Sequence, residues 1–146
     1  LKISLRLESV DQLASGERVV IAYTTDRAAV AALLGERPDE PQLPLYVTVA
    51  EPHAAAVAFA QVRAGDMKFV GLGRDAGLLP GTRTPPVSWD EQRVLWRAEI
   101  ERLAGEFAAG SAAVDPKRPA HTCRLCDLQP LCRIHEHAEG AAEEGE

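Results

Sequence analysis

The chain has 146 residues, 46% of them hydrophobic and 26% charged. That length allows one domain with a real apolar core, and the composition is that of an ordinary globular protein. Its net charge of −6 is concentrated at the end: residues 136–146 hold five acids and no Lys or Arg. The preceding body is nearly neutral, which leaves open whether it meets nucleic acid, because that depends on where the basic residues gather. No apolar run approaches the roughly 20 residues that span a bilayer. The chain opens at Leu1 in mid-pattern, without a start Met or a signal peptide, and is expected to be a piece of a longer, cytoplasmic protein with no membrane partner.

Residues 2–13 alternate, with Ile3, Leu5 and Leu7 on one side and Lys2, Ser4, Arg6 and Glu8 on the other, as in a half-buried strand. Residues 11–17 contain Ala-Ser-Gly and predict a hairpin turn that includes Asp11. Arg18–Thr25 is apolar and β-branched enough for a central strand. Asp26 is placed to cap a short helix over Arg27–Leu34. A Gly- and Pro-rich loop leads to a helix over Gln42–Ala50, with Pro44 in its first turn and Leu45, Val49 and Thr48 facing inward. Val57–Arg63 and Met67–Gly73 flank Ala64-Gly65-Asp66 and predict a hairpin closing the sheet.

Residues 75–87 form a loop. Ser88 and Glu91 then make a capping-box pattern at the start of the clearest helix. Trp89, Trp96, Ile100, Leu103 and Phe107 share one face of it. Both Trp residues are expected in the core and not as platforms for bases. Gly110 ends the helix. A linker follows, then Cys123, Cys126 and Cys132. An odd, clustered set of thiols in a cytosolic chain suggests a metal or cluster more than disulfides. Residues 136–146, rich in Glu, Gly and Ala, are expected to be disordered.

Four motifs stand in a telling order. The first strand contains Leu5-Arg6-Leu7-Glu8-Ser9-Val10-Asp11 and the second contains Val20-Ile21-Ala22-Tyr23-Thr24-Thr25-Asp26. Gln42-Leu43-Pro44-Leu45-Tyr46 gives Gln-x-x-x-Tyr, and the Cys residues give Cys-x-x-Cys-x5-Cys. Together these resemble the RecB-like PD-(D/E)XK nucleases, most closely the AddB-like bacterial DNA-repair branch, over nearly the whole chain. The resemblance implies a restriction-endonuclease-like α/β core, a mixed, mostly antiparallel sheet flanked by helices. It divides the chain into a nuclease-like core over 1–112, lacking the family's N-terminal helix, a Cys-rich segment over 113–135 and the acidic tail.

It also implies Mg²⁺-dependent cleavage of DNA phosphodiesters, with partners among helicase or nuclease subunits. Mg²⁺ needs hard oxygen ligands, and the metal activates water and steadies charge on the scissile phosphate. The family's first metal acid falls on Glu8, which can still ligate. The second falls on Ala22 and the Lys falls on Thr24, so two of the three core groups are absent. Gln42 and Tyr46 complete the site in the family, near the DNA. On these residues the catalytic site is expected to be degenerate, with Mg²⁺ weak or absent, unless Asp26, Lys68 or Lys2 refills the geometry. Arg6, Arg27 and Arg37 are candidates for phosphate contacts, with a solvated role as the default. A non-catalytic DNA-binding or scaffold domain is the alternative. Cys123, Cys126 and Cys132 match the ligands of a [4Fe–4S] cluster whose fourth Cys lies upstream in the family and is not in this chain. The other options are zinc, with His135 or His121 as fourth ligand, or three reduced thiols.

Overall fold

A computed structural model describes residues 4–124 and 126–133. Two compact units divide them, residues 1–108 and 109–146. The first holds a five-stranded sheet in the order β1-β2-β3-β4-β5. β1 is Ser9–Gln12, β2 Arg18–Thr24, β3 Ala56–Gln61, β4 Lys68–Gly73 and β5 Thr82–Arg83. β1–β2 and β3–β4 are antiparallel hairpin pairings, whereas β2–β3 and β4–β5 run parallel. The sheet is therefore mixed.

The parallel step explains the fold's layout. Parallel neighbours require a crossover, and β2 reaches β3 through helical chain that covers one sheet face. That chain holds a 3₁₀ turn at Val30–Leu33, helix α1 at Gln42–Leu45 and a π-helical turn at Tyr46–Ala50. Helix α2, Trp89–Ala108, packs with it. Val20, Ala22, Val57, Phe59 and Leu72 of the sheet meet Leu33, Leu43, Tyr46, Val47, Trp89 and Trp96 in the main core. The Trp rings meet edge-to-face at 5.8 Å. Each indole N–H is satisfied by a carbonyl, Trp89 by Ala54 at 3.0 Å and Trp96 by Leu33 at 2.8 Å. The opposite face carries a smaller cluster of Val19, Ile21, Ala56, Ala58 and Ala60, closed by Leu78 and Leu79 of the β4–β5 loop.

Several expectations are corrected. The strand expected over residues 2–13 pairs only over Ser9–Gln12, and the alternation slips at a bend at Glu8. Leu5 and Leu7 before the bend and Val10 after it all pack against the main core. Lys2 lies outside the described residues. Asp26 caps no helix: it lies in a bend after β2, where its N–H donates to Thr24 Oγ1 (3.1 Å), and the 3₁₀ turn starts only at Val30, with Ala29 as its N-cap. The helix at Gln42–Ala50 buries Thr48 as expected, but also Leu43, Pro44, Tyr46 and Val47, with Leu45 half-buried and Val49 60% exposed. The extra residue of the π turn rotates the later side chains away from their α-helical positions.

The hairpin expected to close the sheet lies inside it, because Thr82–Arg83 adds β5 as a further edge. At the C-terminal end of α2 the apolar face outruns its cover, with Leu103 and Phe107 exposed.

The second unit contains α3, Pro119–Thr122, and α4, Gln129–Cys132, each begun by a Pro in its first turn. The disorder expected for 136–146 falls outside the described residues. Among the described residues, no helix is long and apolar enough to cross a membrane.

Candidate functional site

The chemistry-bearing residues gather where β1, β2 and α1 meet. The β1–β2 register begins with Ser9 against Ile21, and Glu8 lies in the bend one residue before it. The Glu8 side chain bridges two elements. Its Oε2 accepts the Tyr23 backbone N–H at 2.5 Å, and its Oε1 lies 3.4 Å from Gln42 Nε2. Gln42 Nε2 also donates to the Tyr46 hydroxyl at 2.9 Å. That hydroxyl in turn donates to the Arg6 carbonyl at 2.6 Å. One turn of helix separates Gln42, at the start of α1, from Tyr46, at the start of the π turn, which puts both on the same side of that helical stretch. The structure thus brings Glu8, Gln42 and Tyr46 into one hydrogen-bonded chain that ties α1 to the start of β1.

Ala22 is 1% exposed and sits among apolar side chains. It has no oxygen to offer a cation. Thr24 is half-buried and lines a cleft of about 180 Å³ with Tyr23, Asp26, Arg27, Gln42 and Phe59. Its hydroxyl accepts from the Asp26 N–H, so it serves the turn that follows β2. Of Glu8 and Ala22, the two positions expected to match metal acids, only Glu8 carries a carboxylate, and it already accepts a backbone N–H. Among the described residues, no three of His, Cys, Asp and Glu come together as a metal-holding group. A lone engaged carboxylate is a poor match to Mg²⁺, which demands near-octahedral oxygen ligation and dehydrates reluctantly.

A second polar group at the same sheet end was only half visible in the sequence. Gln61, 1% exposed at the end of β3, accepts the Ala28 N–H (3.0 Å) and donates to both the Asp66 carbonyl (2.9 Å) and Asp66 Oδ2 (2.8 Å). Lys68 Nζ donates to Asp66 Oδ1 at 2.8 Å. The Lys68 bond, then the Gln61 bond, hold the Asp66 carboxyl below its ordinary range, and Arg27 adds a smaller push in the same direction. Sequence reasoning singled out Lys68 but missed Gln61. Its signal was a lone amide at the end of an otherwise apolar run. Arg6 and Arg27 are both exposed. Arg37 is half-buried and its charge helps hold Glu99 ionised on α2, secondary to the Arg102 bond.

In the second unit, Cys123 and Cys132 are half-buried and Cys126 is exposed, all three as thiols. The Cys126 N–H closes a turn on the Cys123 carbonyl (3.1 Å), and the Gln129 side chain donates to that same carbonyl. His121 lies in the helical turn just before them, and His135 falls outside the described residues. The thiols therefore share one short folded segment, but they make no three-residue metal set among the described residues.

A sequence model of the PD-(D/E)XK nuclease superfamily matches residues 6–133. No curated protein and no solved structure matches the chain.

Proposed function

The chain belongs to the PD-(D/E)XK nuclease superfamily, and from that premise we propose that it is the nuclease-like, DNA-facing domain of a RecB-like, AddB-like bacterial repair protein whose cleavage chemistry has been lost. One observation carries this reading. The position of the second metal acid is a buried Ala22 in the apolar core, and the carboxylate of Glu8 is spent on the Tyr23 N–H and Gln42. What survives is the frame: Glu8, Gln42 and Tyr46 still hold β1, β2 and α1 together. What is missing is the charge that would hold a divalent ion and the lysine that would orient water. The residues present do not fit Mg²⁺, and we derive no step through it.

The motif order supports the AddB-like branch: Gln42 and Tyr46 bonded to each other, then Cys123, Cys126 and Cys132 in one short segment. These three thiols fit an iron–sulfur cluster only with a fourth thiolate from elsewhere in a longer protein. Iron and sulfide analysis of anaerobically purified protein tests that part, and one zinc per chain without iron would refute it.

The decisive experiment is incubation with end-labelled linear single- and double-stranded DNA and Mg²⁺ or Mn²⁺. The expected result is binding without cleavage. Cleavage that disappears in Glu8→Ala would refute the reading. The alternative, a scaffold within a helicase–nuclease-like assembly, is favoured if the protein neither cuts nor binds DNA.

A further inference from the structure

The three thiols of the second unit are not equivalent, and their surroundings set apart a pair and a bystander. The Cys126 N–H bonds the Cys123 carbonyl at 3.1 Å and closes a turn between them. A turn closed by such an i to i+3 bond keeps its outer Cα atoms within about 7 Å. A disulfide spans roughly 4.4–6.8 Å between Cα atoms, so the two thiols can join without moving the flanking chain. The Gln129 side chain donates to the same Cys123 carbonyl and holds the turn from a second side. Cys132 is engaged elsewhere: its thiol donates to the Gln129 carbonyl within α4 at 3.6 Å.

Exposure divides the pair further. Cys126 is exposed and Cys123 is half-buried. An oxidant arriving from solvent therefore meets Cys126 first, and Cys123 is the neighbour that resolves the product.

We propose that in the metal-free chain Cys126 and Cys123 form a reversible disulfide under a hydroperoxide, with Cys132 left as a thiol. Cys126 Sγ attacks one peroxide oxygen. An S–O bond forms, the O–O bond breaks, and the departing oxygen takes the thiol proton and leaves as water, or as an alcohol from an organic peroxide. Cys123 Sγ then attacks the Cys126 sulfur. The S–S bond forms, the S–O bond breaks, and the hydroxyl leaves with the Cys123 proton as water. The sulfur pair loses two electrons and the peroxide gains them. The consequence is control of metal capture: soft metal centres take thiolates, and the disulfide withdraws two of the three at once. This inference stands apart from the DNA-facing reading.

The test is a hydrogen peroxide titration of the full chain, reduced and chelator-treated, then desalted without oxygen. Remaining thiols are capped with iodoacetamide, and the bond is mapped by mass spectrometry after trypsin. Trypsin cuts after Arg124, so the expected bond joins the Cys123 peptide to the one carrying Cys126 and Cys132, with the cap on Cys132. Reactive thiols should fall from the three present to a single one per chain, and dithiothreitol should restore them. Cys132→Ser should close the same bond at the wild-type rate. Cys123→Ser should close none and let Cys126 run on to the sulfinic acid. A bond to Cys132 as the main product would overturn the inference. So would a wild type in which Cys126 is over-oxidised while Cys123 is still capped. Neither result touches the outcome of the DNA-binding experiment.

Discussion

At the scale of single residues, the two departures from the family pattern are unequal. Thr24 sits half-buried at the strand end, where a longer side chain has the adjoining cleft to enter. Ala22 is sealed in the core. A carboxylate placed there without a counter-charge would be a buried, unpaired anion costing several kcal/mol, unless it took up a proton or an ion. The Ala22→Asp variant, with Thr24 left in place, is therefore expected to melt below the wild type in EDTA. It should regain stability as Mg²⁺ is added, because an ion that binds only the folded form stabilises it. Differential scanning fluorimetry with and without Mg²⁺ checks this, and a wild type that responds equally would refute it. Tyr46 gives a second test. Removing its hydroxyl leaves Gln42 and the Arg6 carbonyl short of a partner, so Tyr46→Phe should cost about 1–3 kcal/mol in a urea melt.

At the scale of elements, legibility followed burial. β2 was readable because the apolar, largely β-branched run from Val19 to Tyr23 has few other fates. The start of α2 was readable from its cap: the Glu91 N–H does bond Ser88 Oγ, at 3.2 Å. Ser88→Ala should accordingly lower stability by about 1 kcal/mol in a denaturant melt. Glu8, Gln42 and Tyr46 were readable together because their motif spacing puts them on neighbouring segments, where they meet by hydrogen bonds.

The misses have local causes. A π turn has no sequence signature, so Val49 was assigned the wrong face. Asp26 was read as a cap because Asp favours that position, but the helical turn starts only at Val30, with Ala29 at its N-cap. β5 is two residues in a Gly- and Pro-rich loop, too short to show a period. Its parent strand is also tighter than its sequence suggests. A Cβ at Gly71 would lie 2.0 Å from the Val57 carbonyl oxygen, in backbone that cannot yield. Gly71→Ala is expected to abolish soluble, cooperatively folding protein, as read by circular dichroism and melting.

At the scale of the whole molecule, the nearly neutral body means that any affinity for nucleic acid comes from local placement of cations and not from a general field. Surface pairs here act mainly through pH. Asp66 and Glu99 both have carboxyls held below their ordinary range, Asp66 chiefly by Lys68 and Glu99 chiefly by Arg102. A depressed carboxyl contributes stability that is full above its unfolded pKa, near 4, and is lost as pH falls through the lower folded value. The melting temperature should therefore hold level through neutral pH and fall below about pH 4. Arg102→Gln should flatten the part of that fall due to Glu99. The Asp66 side chain is 41% exposed and screened, so its share is small, whereas the Glu99 side chain is only 13% exposed.

The central claim is that a site left with one engaged carboxylate does not hold a divalent ion. Titrating Mn²⁺ into the protein, with free ion read by electron paramagnetic resonance, tests it most directly, using Glu8→Gln as the reference. The account predicts identical curves for the two proteins, whatever weak binding the acidic tail adds to both. A tight Mn²⁺ site in the wild type that vanishes in Glu8→Gln would contradict it.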